Sequence, residues 1–303
     1  MRNICRVVMI SLFLGCLPNI ADAQQAIEDC FNYRNSGDYQ KAIGFGKTAI
    51  RISSKIWDSH YCLADAYMHV GELKLALREM KVAEGLAKSR NNLMVTYSGL
   101  GVIYSYMGDY DNSLLYDNRY LALAKEVADR DEEAKALNNI AGSYKKKGDI
   151  DKALTYYEES LRIATKEKNK ADTYNNIAIA YSVKGDYEKK IFYLQKAVEI
   201  AERYGDYYKT AHFMLNLGNA YREIGAFDKA EEYLNEGLKK ILKLGDSSGE
   251  AHAYKYIGWL FYEKDDIQKA RDCLTKAYHI FSAIGAKESA RNVKDFLDKN
   301  LKL

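Results

Sequence analysis

The fold class predicted by the sequence is all-α: an α-α solenoid of about seven stacked helix pairs, closed by a C-terminal capping helix. Three observations predict it. A helix-breaking residue recurs at Gly37, Gly71, Gly108, Gly148, Gly185, Gly225 and Asp265, at intervals of 34 to 40 residues. An aromatic stands four residues before each of them, at Tyr33, Tyr67, Tyr104, Tyr144, Tyr181, Tyr221 and Phe261. The single proline, Pro18, lies near the N-terminus, so no later residue of that type interrupts a helix. An internal period in this range marks like units that stack. One helix pair cannot bury its apolar stripe alone, whereas stacked neighbours can.

Residues 1–23 have the order of a secretory signal peptide. Arg2 and Arg6 are followed by an apolar run from Val7 to Leu17, then Pro18 and the small-x-small site Ala21-Asp22-Ala23. The run is too short to span a bilayer comfortably. The expectation is an exported protein, periplasmic or secreted. The alternative is a lipid anchor at Cys16, because Phe13-Leu14-Gly15-Cys16 loosely resembles a lipobox.

Residues 24–285 carry the repeats. Seven positions before each turn stand Cys30, Ala64, Gly101, Ala141, Ala178, Gly218 and Gly258, all small. Five after stand Ala42, Ala76, Ser113, Ala153, Lys190, Ala230 and Ala270, small in all but one. Small residues on facing helices let two backbones approach, and the aromatic fills the seam beside them. The glycine closes the first helix of each pair in the left-handed region at little steric cost. Residues 286–303 read as one more amphipathic helix, with Ala290, Val293, Phe296 and Leu297 apolar, capping the last repeat.

Charge excludes some partners. The formal net charge of +3 falls to +2 once Arg2, Arg6 and Asp22 are removed, too balanced for nucleic acid or an anionic membrane. No stretch after the leader reads as a stable transmembrane span. Cys30, Cys62 and Cys273 read as buried apolar side chains; a Cys30–Cys62 bridge between neighbouring repeats is the alternative in an oxidising compartment. No phosphate-loop, zinc-binding or nucleophile-elbow pattern occurs. The expectation is a non-enzyme with no cofactor and no metal site.

The lattice resembles the tetratricopeptide repeat family. The residues that carry the resemblance include Leu100-Gly101-Val102-Ile103-Tyr104 with Gly108-Asp109-Tyr110, Leu217-Gly218-Asn219-Ala220-Tyr221 with Gly225, and Gly148 to Ala153 with Tyr157. The period, drifting from 34 towards 40, is similar to that of the elongated-helix members. The resemblance implies that the first helix of each pair lines a concave groove. On that basis the candidate binding residues are Lys135, Asn138, Asn139, Asn175, Asn176, His212, Asn216, Asn219, Arg222, His252, Lys255, Trp259 and Tyr262.

The asparagines, Trp259 and the two histidines each have two readings. The asparagines either grip the backbone of an extended peptide, offering donor and acceptor together, or tie helices of adjacent repeats. Trp259 is either an interface anchor or a side chain packed under the capping helix. His212 and His252, equivalent in adjacent repeats, are either a stacked pair or ordinary exposed residues. The chaperone-tail constellation of the family is not matched: of Asn138, Gly142, Asn176, His212 and Asn216, only Asn176 has the required type. The resulting expectation is an exported, non-catalytic scaffold for a protein or peptide segment, of unassigned oligomeric state. The alternatives are an extracytoplasmic ligand-sensing module and, more weakly, an enzyme with a site in the groove.

Overall fold

The computed structural model of the protein describes residues 20–301. Arg2, Arg6, the apolar run and Cys16 lie outside the described residues, while Ala21-Asp22-Ala23 falls in the first turn of a helix, with Ala23 buried. The chain divides into two compact units, one running to Gly148 and one starting at Asp149.

The first unit holds α1 (Ile20–Asn35) and α2 (Tyr39–Ile52), α3 (Trp57–His69) and α4 (Leu73–Leu86), α5 (Arg90–Tyr106) and α6 (Tyr110–Glu126), and then α7 (Arg130–Lys147). The second holds α8 (Ile150–Ile163), α9 (Lys170–Lys184) and α10 (Tyr187–Arg203), α11 (Tyr207–Glu223) and α12 (Phe227–Leu244), α13 (Ser247–Glu263) and α14 (Ile267–Ala283), and finally α15 (Lys287–Asn300). No strand occurs among the described residues. Each helix packs against the next within its unit, so the fold is an all-α array of helix pairs.

The Gly-Asp step explains the pairing. The six turn glycines have φ between +73° and +93°, and Asp265, in the seventh turn, sits at +60°. The aspartate that follows opens the second helix. Asp38, Asp109, Asp149 and Asp186 each accept the backbone N–H three residues on, satisfying one of the helix's orphan donors. Asp266 does the same after Asp265.

A second set of turns accounts for the drift in period. Ala128, Gly205, Gly245 and Gly285 also have positive φ, and each ends a second helix of 17 or 18 residues. The other second helices, α2, α4 and α8, have only 14 residues and leave through the extended backbone of Ser53, Ala87 and Ala164. The 40-residue intervals are those that contain a long second helix with a left-handed closure.

Small residues permit close approach where the sequence places them. A Cβ on Gly218 would lie 2.7 Å from Cγ of Leu234 on the partner helix. Lys190, the one large residue at its repeat position, is buried: its ammonium is held by Ser182 Oγ and the Glu223 carboxylate. The cysteines correct the expectation of three free apolar side chains. Cys30 of α1 and Cys62 of α3 form a disulfide, with Cα atoms 6.4 Å apart, whereas Cys273 is free and half-buried. The reason is geometric: equivalent first helices of adjacent repeats lie side by side at this point.

Candidate functional site

Helix neighbours identify the inner side of each unit. First helices touch the first helices of adjacent repeats, as α1 with α3, α3 with α5, α5 with α7, and α11 with α13. Among the described residues no two second helices pack comparably. An array whose first helices crowd together while its second helices splay apart carries the first helices on the inside. The candidates lie on these helices: Lys135, Asn138 and Asn139 on α7 in the first unit, and the rest on α9, α11 and α13 in the second.

The asparagines are engaged with neighbours. Asn216 Nδ2 donates to Asn175 Oδ1 at 2.9 Å, joining α11 to α9. In the first unit Asn139 Nδ2 donates to Ser98 Oγ at 3.1 Å, joining α7 to α5. Asn219 bonds along its own helix, giving a hydrogen bond to Glu223 at 3.0 Å and accepting one from Arg222 Nε at 3.0 Å. Asn138 and Asn176 are half-buried, and neither is without a partner. Lys135 is exposed and pairs with Glu132 of its own helix at 2.5 Å.

His212 and His252 are not ordinary exposed residues; both are half-buried. His212 Nε2 meets Asp246 Oδ2 at 2.7 Å, and Asp246 also caps α13 by accepting from Gly249 N at 3.0 Å. The bond to His212 is the main reason that the Asp246 carboxyl lies below its usual range. His252 stands edge-on to Phe281, with centroids 5.0 Å apart. Burial pushes its pKa down to about 4, so the ring is neutral at pH 7, and its Nδ1 is buried with no hydrogen-bond partner.

Trp259 packs against the capping helix. Its ring tilts against Phe296 of α15 at 6.4 Å, and Tyr262 meets the same Phe296 edge-on at 5.1 Å. Two cations stand beside the ring: the Arg222 guanidinium lies 5.5 Å from the indole centroid and Lys255 Nζ 5.1 Å from it. The indole Nε1–H is buried and unpaired. Arg222 is neutralised by an ion pair with Glu263. Among the described residues Lys255 has no carboxylate partner; it rests on the rings of Tyr256 at 4.8 Å and Phe281 at 6.0 Å. Burial lowers its pKa to about 8.

Sequence reasoning missed the residues that shape this cluster. Asp246, Glu223 and Glu263 carry the counter-charges, and Tyr256, Phe281 and Phe296 supply the walls. Asp246 was findable, since it follows Gly245 and begins a helix. The others look like ordinary face or core residues until the helices are packed. A second missed cluster lies in the first unit, where Asp117, Ser113 and Ser143 are buried together. Among the described residues no group of three or more His, Cys, Asp or Glu side chains is placed to hold a metal, and no helix is long and apolar enough to cross a membrane. The inner face of the second unit can therefore offer amide hydrogen bonds, aromatic walls and, in Lys255, a lysine without a carboxylate partner among the described residues.

No curated protein matches the sequence. Solved structures do match in fold. BtubC (BKLC) from P. vanneervenii is 21% identical, over 71% of this chain and 91% of that one, with a TM-score of 0.58. A Rap protein complexed with competence and sporulation factor is 15% identical, over 91% and 96%, with a TM-score of 0.61. The apo form of the quorum sensor NprR from B. thuringiensis is 14% identical, over 91% and 86%, with a TM-score of 0.62. Residues 92–166 and 169–241 match the tetratricopeptide repeat family itself. By this match, its repeated Gly-Asp turns and its paired helices, the chain belongs to the tetratricopeptide repeat family.

Proposed function

We propose that this protein is an exported, non-catalytic scaffold that holds an extended protein or peptide segment along the inner face of its first helices. One observation carries the reading: amide, basic and aromatic side chains form a band on α9, α11 and α13, the helices that line the inner side of the second unit. Each asparagine carries both donors and an acceptor, so an amide tied to a neighbour keeps hydrogen-bonding capacity for a peptide backbone, and Trp259 adds a large ring with a polar edge. The Rap protein in complex with competence and sporulation factor provides a fold-level parallel for ligand capture. Export draws support from the leader-like residues 1–23 and from the Cys30–Cys62 bridge, since disulfides persist in oxidising compartments.

The test is an array of randomised extended peptides probed with purified wild-type protein and with the Asn176→Ala/Trp259→Ala variant. Sequences retained by the wild type and lost by the variant support the groove assignment. Identical patterns for both proteins reject it. Intact mass of the exported protein decides between a start at Gln24 and a lipidated Cys16.

A second reading, ligand sensing, is favoured by the likeness to the quorum sensor NprR. A thermal-shift screen against peptides and small metabolites checks it. A shift with a small metabolite and none with peptides would replace the scaffold by a sensor.

A further inference from the structure

We infer that one proton held among Asp117, Ser113 and Ser143 clamps α5, α6 and α7 together, and that its release loosens this part of the first unit. The joint lies in the packing between helices and works without a ligand on the inner face.

Comparison of the repeats singles this trio out. Nine residues after each turn stand Gly46, Met80, Tyr157, Leu194, Leu234 and Leu274, and in the third repeat Asp117. Asp117 fills the place of Leu234. As Leu234 presses on Gly218, the Asp117 carboxyl presses on Gly101, where a Cβ would lie 2.2 Å from Oδ1. Ser113 stands where Ala76 and Ala230 do, and Ser143 where Ala66 and Ala220 do. All three side chains are buried. Burying polar groups is costly unless they find partners, so three adjoining core positions turned polar together form one hydrogen-bonded unit.

The direction of its hydrogen bonds depends on the proton. Ser143 Oγ lies 2.9 Å from Asp117 Oδ2 and 2.7 Å from Ser113 Oγ, which lies 2.8 Å from the Gly101 carbonyl. With Asp117 protonated, the acid donates to Ser143, Ser143 to Ser113, and Ser113 to the carbonyl, linking α6, α7 and α5. Without the proton both hydroxyls turn towards the carboxylate, and the bond to α5 lapses. A charge is then buried while Oδ1 has no partner, and hydrating it requires the helices to part. Burial raises the Asp117 pKa to about 7, against the opposing pull of the two serines.

Among the described residues no charged group of α5 or α7 acts on this carboxyl. Lys81 and Glu84 of α4 meet Tyr116 and Arg119 of α6 instead. Tyr120 of α6 feels the Asp117 charge, but burial keeps its phenol protonated, and it bonds to Glu132 of α7. One turn from Ser143, Asn139 ties α7 to Ser98 of α5. Parting these helices therefore also frees an inner-face amide.

The test is hydrogen exchange of the full protein from pH 6 to pH 8, read as protection factors that divide out the intrinsic rate. Protection of α5 to α7 should fall about tenfold across this range, while α11 to α14 change little. Asp117→Asn, neutral throughout and able to donate to Ser143, should show no such step. Asp117→Leu, which installs the side-chain type of Leu234, should show none either. Infrared difference spectra should carry a protonated-carboxyl band at pH 6 that is lost by pH 8 and is missing from Asp117→Asn. Circular dichroism verifies that the variants are folded, and the wild-type readouts decide the matter where a variant is not. Unchanged protection of α5 to α7, an equal fall in α11 to α14, a step that survives in Asp117→Asn, or no such band at pH 6 would each overturn the joint.

Discussion

Asn216 and Asn175, separated by 41 residues in sequence, share a direct amide–amide hydrogen bond of 2.9 Å between the first helices of adjacent repeats. The same side chains were eligible to grip a ligand, and the bond shows one of their amide groups already spent on the tie. A double-mutant cycle of Asn216→Ala and Asn175→Ala should give a coupling of about 1 kcal/mol in urea unfolding. A coupling near zero would return both amides to the ligand.

His60 and Glu79 form a buried pair in the first unit. His60 Nδ1 meets Glu79 Oε2 at 2.7 Å, and its Nε2 faces the Ser54 carbonyl at 3.1 Å, so both ring nitrogens face acceptors. The hydrogen bond from His60 is the main reason that the Glu79 carboxyl lies below its usual range. That contribution is therefore present above the unfolded-state pKa of glutamate, and is lost as pH falls through the folded value. Glu79→Gln should destabilise the protein by roughly 3 kcal/mol at pH 7, since breaking a buried pair leaves its partner uncompensated. Chemical denaturation measures it, and the variant should lose less stability than the wild type as the solution is acidified.

Asp117 behaves in the opposite sense. Burial pushes its pKa up to about 7. Ser143 Oγ lies 2.9 Å from Asp117 Oδ2, Ser113 Oγ 2.7 Å from Ser143 Oγ, and Ser113 Oγ 2.8 Å from the Gly101 carbonyl. Three hydrogen bonds need three protons, two hydroxyls supply two, and a protonated Asp117 supplies the third. The folded state holds this proton between the usual aspartate pKa near 4 and about 7, so its stability contribution falls as pH rises through that window. The loss is on the order of 2 to 4 kcal/mol. Asp117→Asn should flatten this dependence and be the more stable protein at pH 8, as read by urea midpoints from pH 5 to 8.

The Cys30–Cys62 bridge encloses 32 residues of sequence separation. On the loop-entropy account, reduction should cost roughly 3 to 4 kcal/mol, concentrated in the first unit. Denaturation with and without reductant measures the change. Alkylation with intact mass analysis of the protein starting at Gln24 should show one free thiol, Cys273, before reduction.

Ala128 stands at φ +57°, where the equivalent turns carry Gly205, Gly245 and Gly285. An L-residue pays about 1 kcal/mol or more to occupy that region. Ala128→Gly should therefore raise the melting temperature, with a gain of about 1 kcal/mol or less because glycine also loosens the unfolded chain.

The stacked helix pairs were legible before any coordinates because the signals are local and repeated. A glycine that must turn left, an aspartate that caps the next helix and an aromatic four residues before the turn all act within one or two helical turns. Repetition of that unit made the family recognisable. The second set of left-handed closures was equally local, but Ala128 hides it in one repeat and the short helices omit it in others. What only tertiary packing decided is which half-buried groups find each other across the 19 to 41 residues that separate them. Sequence spacing left Cys30 and Cys62 open between thiols and a bridge, the asparagines between ligand and neighbour, and the histidines between pairing and exposure. Lys255 shows its surroundings only once Tyr256, Trp259 and Phe281 are packed around it. Charge and hydrogen-bond satisfaction depend on distances between helices, and those distances are set by the packing of every small and aromatic side chain at once.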